Sequence, residues 1–90
     1  MPTIRIPTQL RPLAGGRSEV PVDGSTVAEL LEGLDAAHPG FTDRLCDESG
    51  RLRRFVNVFV ADEDIRFLGG VDTEVRPDQT VSIIPAVAGG

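Results

Sequence analysis

Thr26-Val27-Ala28-Glu29-Leu30-Leu31-Glu32-Gly33-Leu34 is the stretch on which the fold turns. Val27, Leu30, Leu31 and Leu34 fall at i, i+3, i+4 and i+7, one apolar stripe of a helix, with Glu29, Glu32 and Asp35 off it. Thr26 as N-cap and Glu29 three residues on make a capping box, in which each side chain satisfies an otherwise orphaned amide. Asp23-Gly24-Ser25 turns the chain into this helix. His38-Pro39-Gly40 ends it, because a proline pushes its predecessor out of helical geometry. An apolar stripe of this kind has to be buried, and the rest of the chain offers a sheet to bury it on.

Working outward, Thr3-Ile4-Arg5-Ile6 and Ser18-Glu19-Val20-Pro21-Val22 alternate with period two, the mark of half-buried strands. Turn residues from Arg11 to Arg17 join them, so they read as a hairpin with a long loop. Pro21 lacks an amide donor, so its strand sits at an edge or begins to leave the sheet there. After the helix, Phe41 to Leu45 suits a short second helical turn and Cys46 to Arg54 a polar loop. Phe55-Val56-Asn57-Val58-Phe59-Val60 is β-branched and aromatic without a breaker, the strongest strand of the sequence. Ala61 to Asp64 reads as a turn, Ile65-Arg66-Phe67 as a short strand, and Thr80 to Ile84 as the last strand, stopped by Pro85. The order predicts an α+β roll, with one main helix laid across one face of the sheet.

Ninety residues allow one compact domain, expected over residues 1–84 with a flexible tail at 85–90. Fourteen acidic residues against nine basic ones leave a net charge of −5, which opposes phosphate-backbone binding. Four Phe with no Tyr or Trp supply few stacking platforms for single-stranded nucleic acid. No apolar run reaches the roughly 20 residues of a membrane-spanning helix. The start lacks the charged and greasy segments of a secretory signal, so the expected compartment is the cytoplasm. The basic residues are all Arg, which excludes Schiff-base lysine chemistry and a P-loop lysine. One Cys and one His furnish neither an internal disulfide nor a structural zinc site, and no bound metal is expected.

Catalytic constellations are missing. His38 stands in a helix-stop context, and Cys46 has no orienting motif around it, so both read as structural or surface residues. Asp62-Glu63-Asp64 is one short segment of oxygen ligands and reads as a solvated turn. Arg51, Arg53 and Arg54 read as a solvated loop, paired with Asp47 and Glu48. Gly15-Gly16 and Gly69-Gly70 fall where turns are expected and match no nucleotide-binding fingerprint. Gly89-Gly90 differs: it follows Pro85-Ala86-Val87-Ala88, a run without charge or bulk. Extended, these last six residues reach up to about 20 Å, enough to enter another protein's active site. Without Cβ atoms, Gly89 and Gly90 let a narrow channel close on the backbone, with Ala88 and Val87 as further recognised residues. An α-carboxylate of pKa about 3.5 is ionised at neutral pH and able to attack a nucleotide's α-phosphate.

On the central strand, Val56, Val58 and Val60 share one face, and Phe55, Asn57 and Phe59 the other. If the valines meet the helix, the two rings lie uncovered, and Phe59, Phe55 and Ile84 form a docking surface for a partner. The rival reading puts these rings in a satellite core under the segment from Asp43 to Arg54. Both stay open on the sequence.

The strand pair, the single capped helix, the later strands and the Gly89-Gly90 ending together resemble the ubiquitin-like sulfur carrier proteins, the MoaD, ThiS and CysO group. Arg54-Phe55-Val56-Asn57, the run from Asp62 through Gly69-Gly70, and Ile84 to Gly90 are most similar to the CysO branch. The segment from Asp43 to Arg54 argues against the shorter ThiS-type carriers. The resemblance implies a β-grasp (ubiquitin-like) roll with a mixed sheet and a carrier, not an enzyme. It implies that a ubiquitin-activating-type enzyme adenylates Gly90 with ATP and that a sulfur donor then makes the thiocarboxylate. In the CysO branch it further implies a pyridoxal-phosphate cysteine synthase that uses O-phosphoserine, and a zinc metalloprotease of JAMM type that releases cysteine. ATP, pyridoxal phosphate and zinc belong to those partners; the free carrier is expected to be a monomer. Two other functions compete: small subunit of molybdopterin synthase or carrier for another thio-product such as a thiosugar, and a ubiquitin-like modifier without sulfur chemistry.

Overall fold

The computed structural model describes residues 1–85. Helix α1 spans Val27–Ala37, with Val27, Leu30 and Leu34 of the expected stripe buried and Leu31 packed at its margin. Thr26 caps it, its Oγ1 accepting from the Glu29 amide at 3.2 Å. The reciprocal half of the capping box closes one residue earlier than the sequence predicts. Glu29 Oε1 accepts from the amide and the hydroxyl of Ser25, at 2.7 and 2.8 Å. The reason is tertiary: residues 73–75 cross the start of the helix. Thr26 bridges Glu74, the Val27 amide donates to the Thr73 carbonyl, and the Val75 amide to that of Ser25. His38 sits at the C-cap, its amide donating to the Leu34 carbonyl at 2.8 Å. Helix α2, Phe41–Leu45, follows. It is tied back to α1 by Asp35, whose Oδ1 accepts from the amides of Gly40 and Thr42.

The sheet is mixed. Strands β1 (Thr3–Arg5), β2 (Glu19–Pro21), β3 (Val56–Val60), β4 (Glu63–Asp64) and β5 (Thr80–Pro85) stand in the order β2-β1-β5-β3-β4. Strands β1 and β5 run parallel, and the other pairs antiparallel. This is the β-grasp roll expected of the sequence. Pro21 ends β2 on the sheet's outer edge, where a missing amide costs nothing.

Three local expectations are corrected. The β1–β2 connection is not only a turn: Thr8–Ala14 winds into a 3₁₀ helix that buries Leu10 and Ala14, with left-handed Gly15 closing it at φ 65°. Beyond β3 the strand is Glu63–Asp64, and Ile65–Phe67 is a 3₁₀ turn. The Asp64 carboxylate accepts from the Arg66 amide at 2.9 Å, offering that amide a local partner in place of a ladder. Ala61 and Asp62 alone make the β3–β4 turn, both at positive φ, as in a two-residue hairpin of matching twist. Pro85 is still part of β5, opposite Val56.

Alternation along the strands sends Ile4, Val20, Val56, Val58, Val60, Val81 and Ile83 inward, all buried. They meet α1 together with Phe41 and Leu45 of α2 in a single core. Each such side chain contributes about 1.5–3 kcal/mol on burial. The helices cover one face of the sheet.

Candidate functional site: the open sheet face and the end of β5

With Val56, Val58 and Val60 turned to the core, Asn57 and Phe59 of β3 face the other way. Register places Glu19, Arg5, Ser82, Phe59 and Asp64 side by side across all five strands. One step toward the end of β5, Asn57 stands opposite Ile84. Phe59 is half-buried, while Phe55 is 45% and Ile84 51% exposed. Phe59 therefore lies on the uncovered face, whereas Phe55, expected to open the strand, stands in the turn before it and is exposed. The place under residues 43–54 that the rival reading assigned to them is filled by Leu45, Cys46 and Leu52. Cys46 and Leu52 also pair as an isolated bridge, so this segment is less of a loop than its polarity suggests.

Strand β5 delivers the chain to one end of this face. Gly90, Gly89, Ala88 and Val87 lie outside the described residues. Pro85, five residues before Gly90, borders a shallow groove of about 500 Å³ together with Arg5, Pro7, Thr8, Arg11 and Ile84. Arg11 Nε donates to the Ile6 carbonyl at 3.1 Å, which holds the guanidinium at the groove. Sequence reasoning missed both arginines. Alternation on β1 could have put Arg5 on the outer face, but no local signal brings Arg11 to the end of β5, because the 3₁₀ helix does that.

The remaining candidates resolve into structure. His38 caps α1. Cys46 is partly covered, and burial, with the neighbouring Asp47 carboxylate second, pushes its thiol up. Such a thiol is a poor nucleophile at neutral pH. Among the described residues no group of three or more His, Cys, Asp or Glu is placed to hold a metal ion. Asp47 pairs with no guanidinium. Its Oδ1 accepts from the Ser49 amide and hydroxyl and from the Arg51 amide, and these bonds, the Ser49 hydroxyl first, hold its carboxyl below the usual range. Arg53 donates to the Asp43 carbonyl instead. The expected pairing of this arginine cluster with Asp47 and Glu48 is thus replaced by backbone contacts: Asx-type turns satisfy neighbouring amides at lower entropic cost than two long side chains. Among the described residues the one ion pair is Arg5–Glu19, at 3.9 Å and exposed. No helix of the described residues is long and apolar enough to cross a membrane.

A ubiquitin-like roll with one open face, an apolar strip on it and a last strand, β5, running to Pro85 at one end of that face defines a class of small β-grasp carriers. The chain belongs to the ThiS family, which it matches over residues 4–90, and is a sulfur carrier protein of the CysO and ThiS group. It is 47% identical over 90 residues to the sulfur carrier protein CysO of Mycobacterium tuberculosis, a match covering 98% of this chain and 97% of the relative. The crystal structure of that CysO superposes with a TM-score of 0.91 at 44% identity, covering 97% of this chain and all of the other. CysO of Amycolatopsis orientalis, solved as a BexX/CysO complex, superposes with a TM-score of 0.93 at 46% identity over the whole of both chains.

Proposed function

We propose that this carrier delivers sulfur for cysteine formation through the carboxyl group of Gly90. A carboxylate oxygen attacks the α-phosphate of ATP on a ubiquitin-activating-type enzyme, expelling pyrophosphate. A sulfur nucleophile displaces AMP from the acyl adenylate and leaves a thiocarboxylate. That soft anion adds to the β-carbon of an aminoacrylate, which a pyridoxal-phosphate cysteine synthase forms from O-phosphoserine with loss of phosphate. The product thioester rearranges by an S-to-N acyl shift, and a zinc metalloprotease of JAMM type hydrolyses the new amide to free cysteine and the carrier. Every cofactor belongs to a partner. This chain contributes the acyl group, a Gly89-Gly90 end without Cβ atoms for a narrow channel, Ala88 and Val87 as further recognised residues, and a docking face of Phe59, Phe55 and Ile84.

The observation that carries the reading is the match to CysO along nearly the whole of both chains. A second reading, a carrier serving another thio-product, draws on the complex of the Amycolatopsis CysO with BexX.

Intact-mass measurement after incubation with ATP, sulfide and the activating enzyme tests the chemistry. One oxygen should be replaced by sulfur. Deletion of Gly90 should abolish the change, and Cys46→Ser should leave it complete. Sulfur that follows Cys46 instead would place the cargo on the wrong atom. Identification of cysteine, rather than another thio-product, after addition of the cysteine synthase separates the two readings.

A further inference from the structure

A chain with fourteen acidic and nine basic residues is expected to line its grooves with carboxylates, and the groove at the end of β5 has none. Arg11 supplies its charge together with Arg5, whose guanidinium is shared with Glu19 at 3.9 Å, and the rest of its lining is neutral. On the other flank of β5, Arg66 Nη2 donates to the carbonyls of Arg54 and Val56, at 2.8 and 3.2 Å. Val56 is the residue opposite Pro85. Guanidinium groups thus stand on both sides of the point where the C-terminal segment begins. At the far end of the face the sign reverses: Glu19, Asp62 and Asp78 line a second groove, of about 300 Å³, against Arg5 alone.

From this polarity we infer that the activating enzyme, which must take up the C-terminus first, carries carboxylates around the mouth of its tail-binding channel, facing Arg11 and Arg66. The inference rests on the carrier reading above and adds the partner's charge and the direction of approach. Opposite charges at the two ends of one face give the carrier a dipole along β5. In the field of an acidic mouth that dipole turns the end of β5 forward, which raises the productive encounter rate and rejects the reversed pose. The same carboxylates need not repel the carrier's own terminus. Five residues separate Pro85 from Gly90, up to about 17 Å when extended, roughly two Debye lengths at physiological salt.

The test is ATP–pyrophosphate exchange with the full-length chain and the ubiquitin-activating-type enzyme of the same genome. Thr8→Glu sets a carboxylate into the groove at an exposed position without removing any hydrogen bond given above, so it serves beside Arg11→Glu, which gives one up. Both should raise the KM for the carrier at least about tenfold with kcat unchanged, since a like-charge contact costs more than the 1.4 kcal/mol that tenfold represents. Glu32→Gln, exposed on α1 and away from this face, should stay within about twofold, and added salt should raise the wild-type KM. Wild-type exchange with Thr8→Glu and Arg11→Glu both within about twofold, or a KM that falls with salt, overturns the acidic mouth alone. No exchange with the wild-type chain overturns the carrier reading and the inference with it.

Discussion

Gly33 lies in the middle of α1, where glycine costs about 1 kcal/mol relative to alanine. Its presence is explained by contact: a Cβ built there would stand 2.6 Å from Cγ1 of Val22. Valine is stiff at χ1 and has little room to turn away. Overpacking of this kind costs about 1–3 kcal/mol, more than the propensity regained. Gly33→Ala should therefore destabilise the fold by about 1 kcal/mol in urea unfolding, and Val22→Ala in the same chain should relieve part of the loss. A stabilised single variant would mean that the helix is not pressed against this valine. Periodicity shows Gly33 beside the apolar stripe but is silent on the neighbour, which comes from a segment eleven residues away.

At the scale of elements, β3 divides its side chains between two functions. Val56, Val58 and Val60 are buried, and Phe59 is half-buried on the opposite side between Ser82 and Asp64. A half-buried ring outside the core is tolerant of replacement in the fold and costly to lose in a docking surface. Phe59→Ser should unfold at a urea midpoint close to that of the wild type and raise the KM for the carrier in adenylation about tenfold, the effect of losing about 1.4 kcal/mol of contact. Loss of the folded state would show that the ring is core after all. The same division was visible in the alternation of the sequence. Which face the helices cover was not, because period two assigns residues to two sides and names neither.

Across the whole molecule, three carboxylates among the described residues are held below their usual range by bonds to neighbouring amides and hydroxyls. Glu29 is held below its usual range first by the Ser25 amide, Asp35 by the Thr42 amide, and Asp47 by the Ser49 hydroxyl. Each folded pKa lies below its unfolded value of about 4.3 for Glu and 3.9 for Asp. The folded state then binds fewer protons than the unfolded one in acid. The stability these groups contribute is present above the unfolded values and is lost as pH falls through the folded ones. The urea midpoint should hold level from about pH 7 to pH 5 and drop below about pH 4, and Asp35→Asn should flatten the drop. A midpoint at pH 3 equal to that at pH 7 would remove these bonds from the account.

Local pattern sufficed for much of this protein. The stripe from Val27 to Leu34, the alternation in β1, β2 and β3, the helix stop at His38-Pro39 and the edge position of Pro21 are all short-range consequences of side-chain spacing and backbone chemistry. So is the resemblance carried by the three motif stretches. Tertiary structure decided what spacing leaves open. It closed the cap of α1 on Ser25 because residues 73–75 come from elsewhere in the chain. It made Glu63–Asp64 the strand, wound Thr8–Ala14 into a 3₁₀ helix, and brought Arg11 to the end of β5. The β3–β4 hairpin is shorter in range, and the left-handed turn at Ala61 and Asp62 sets its register. The cap and the placing of Arg11 depend on contacts between residues far apart in sequence, whose energy exists only once sheet and helix have met.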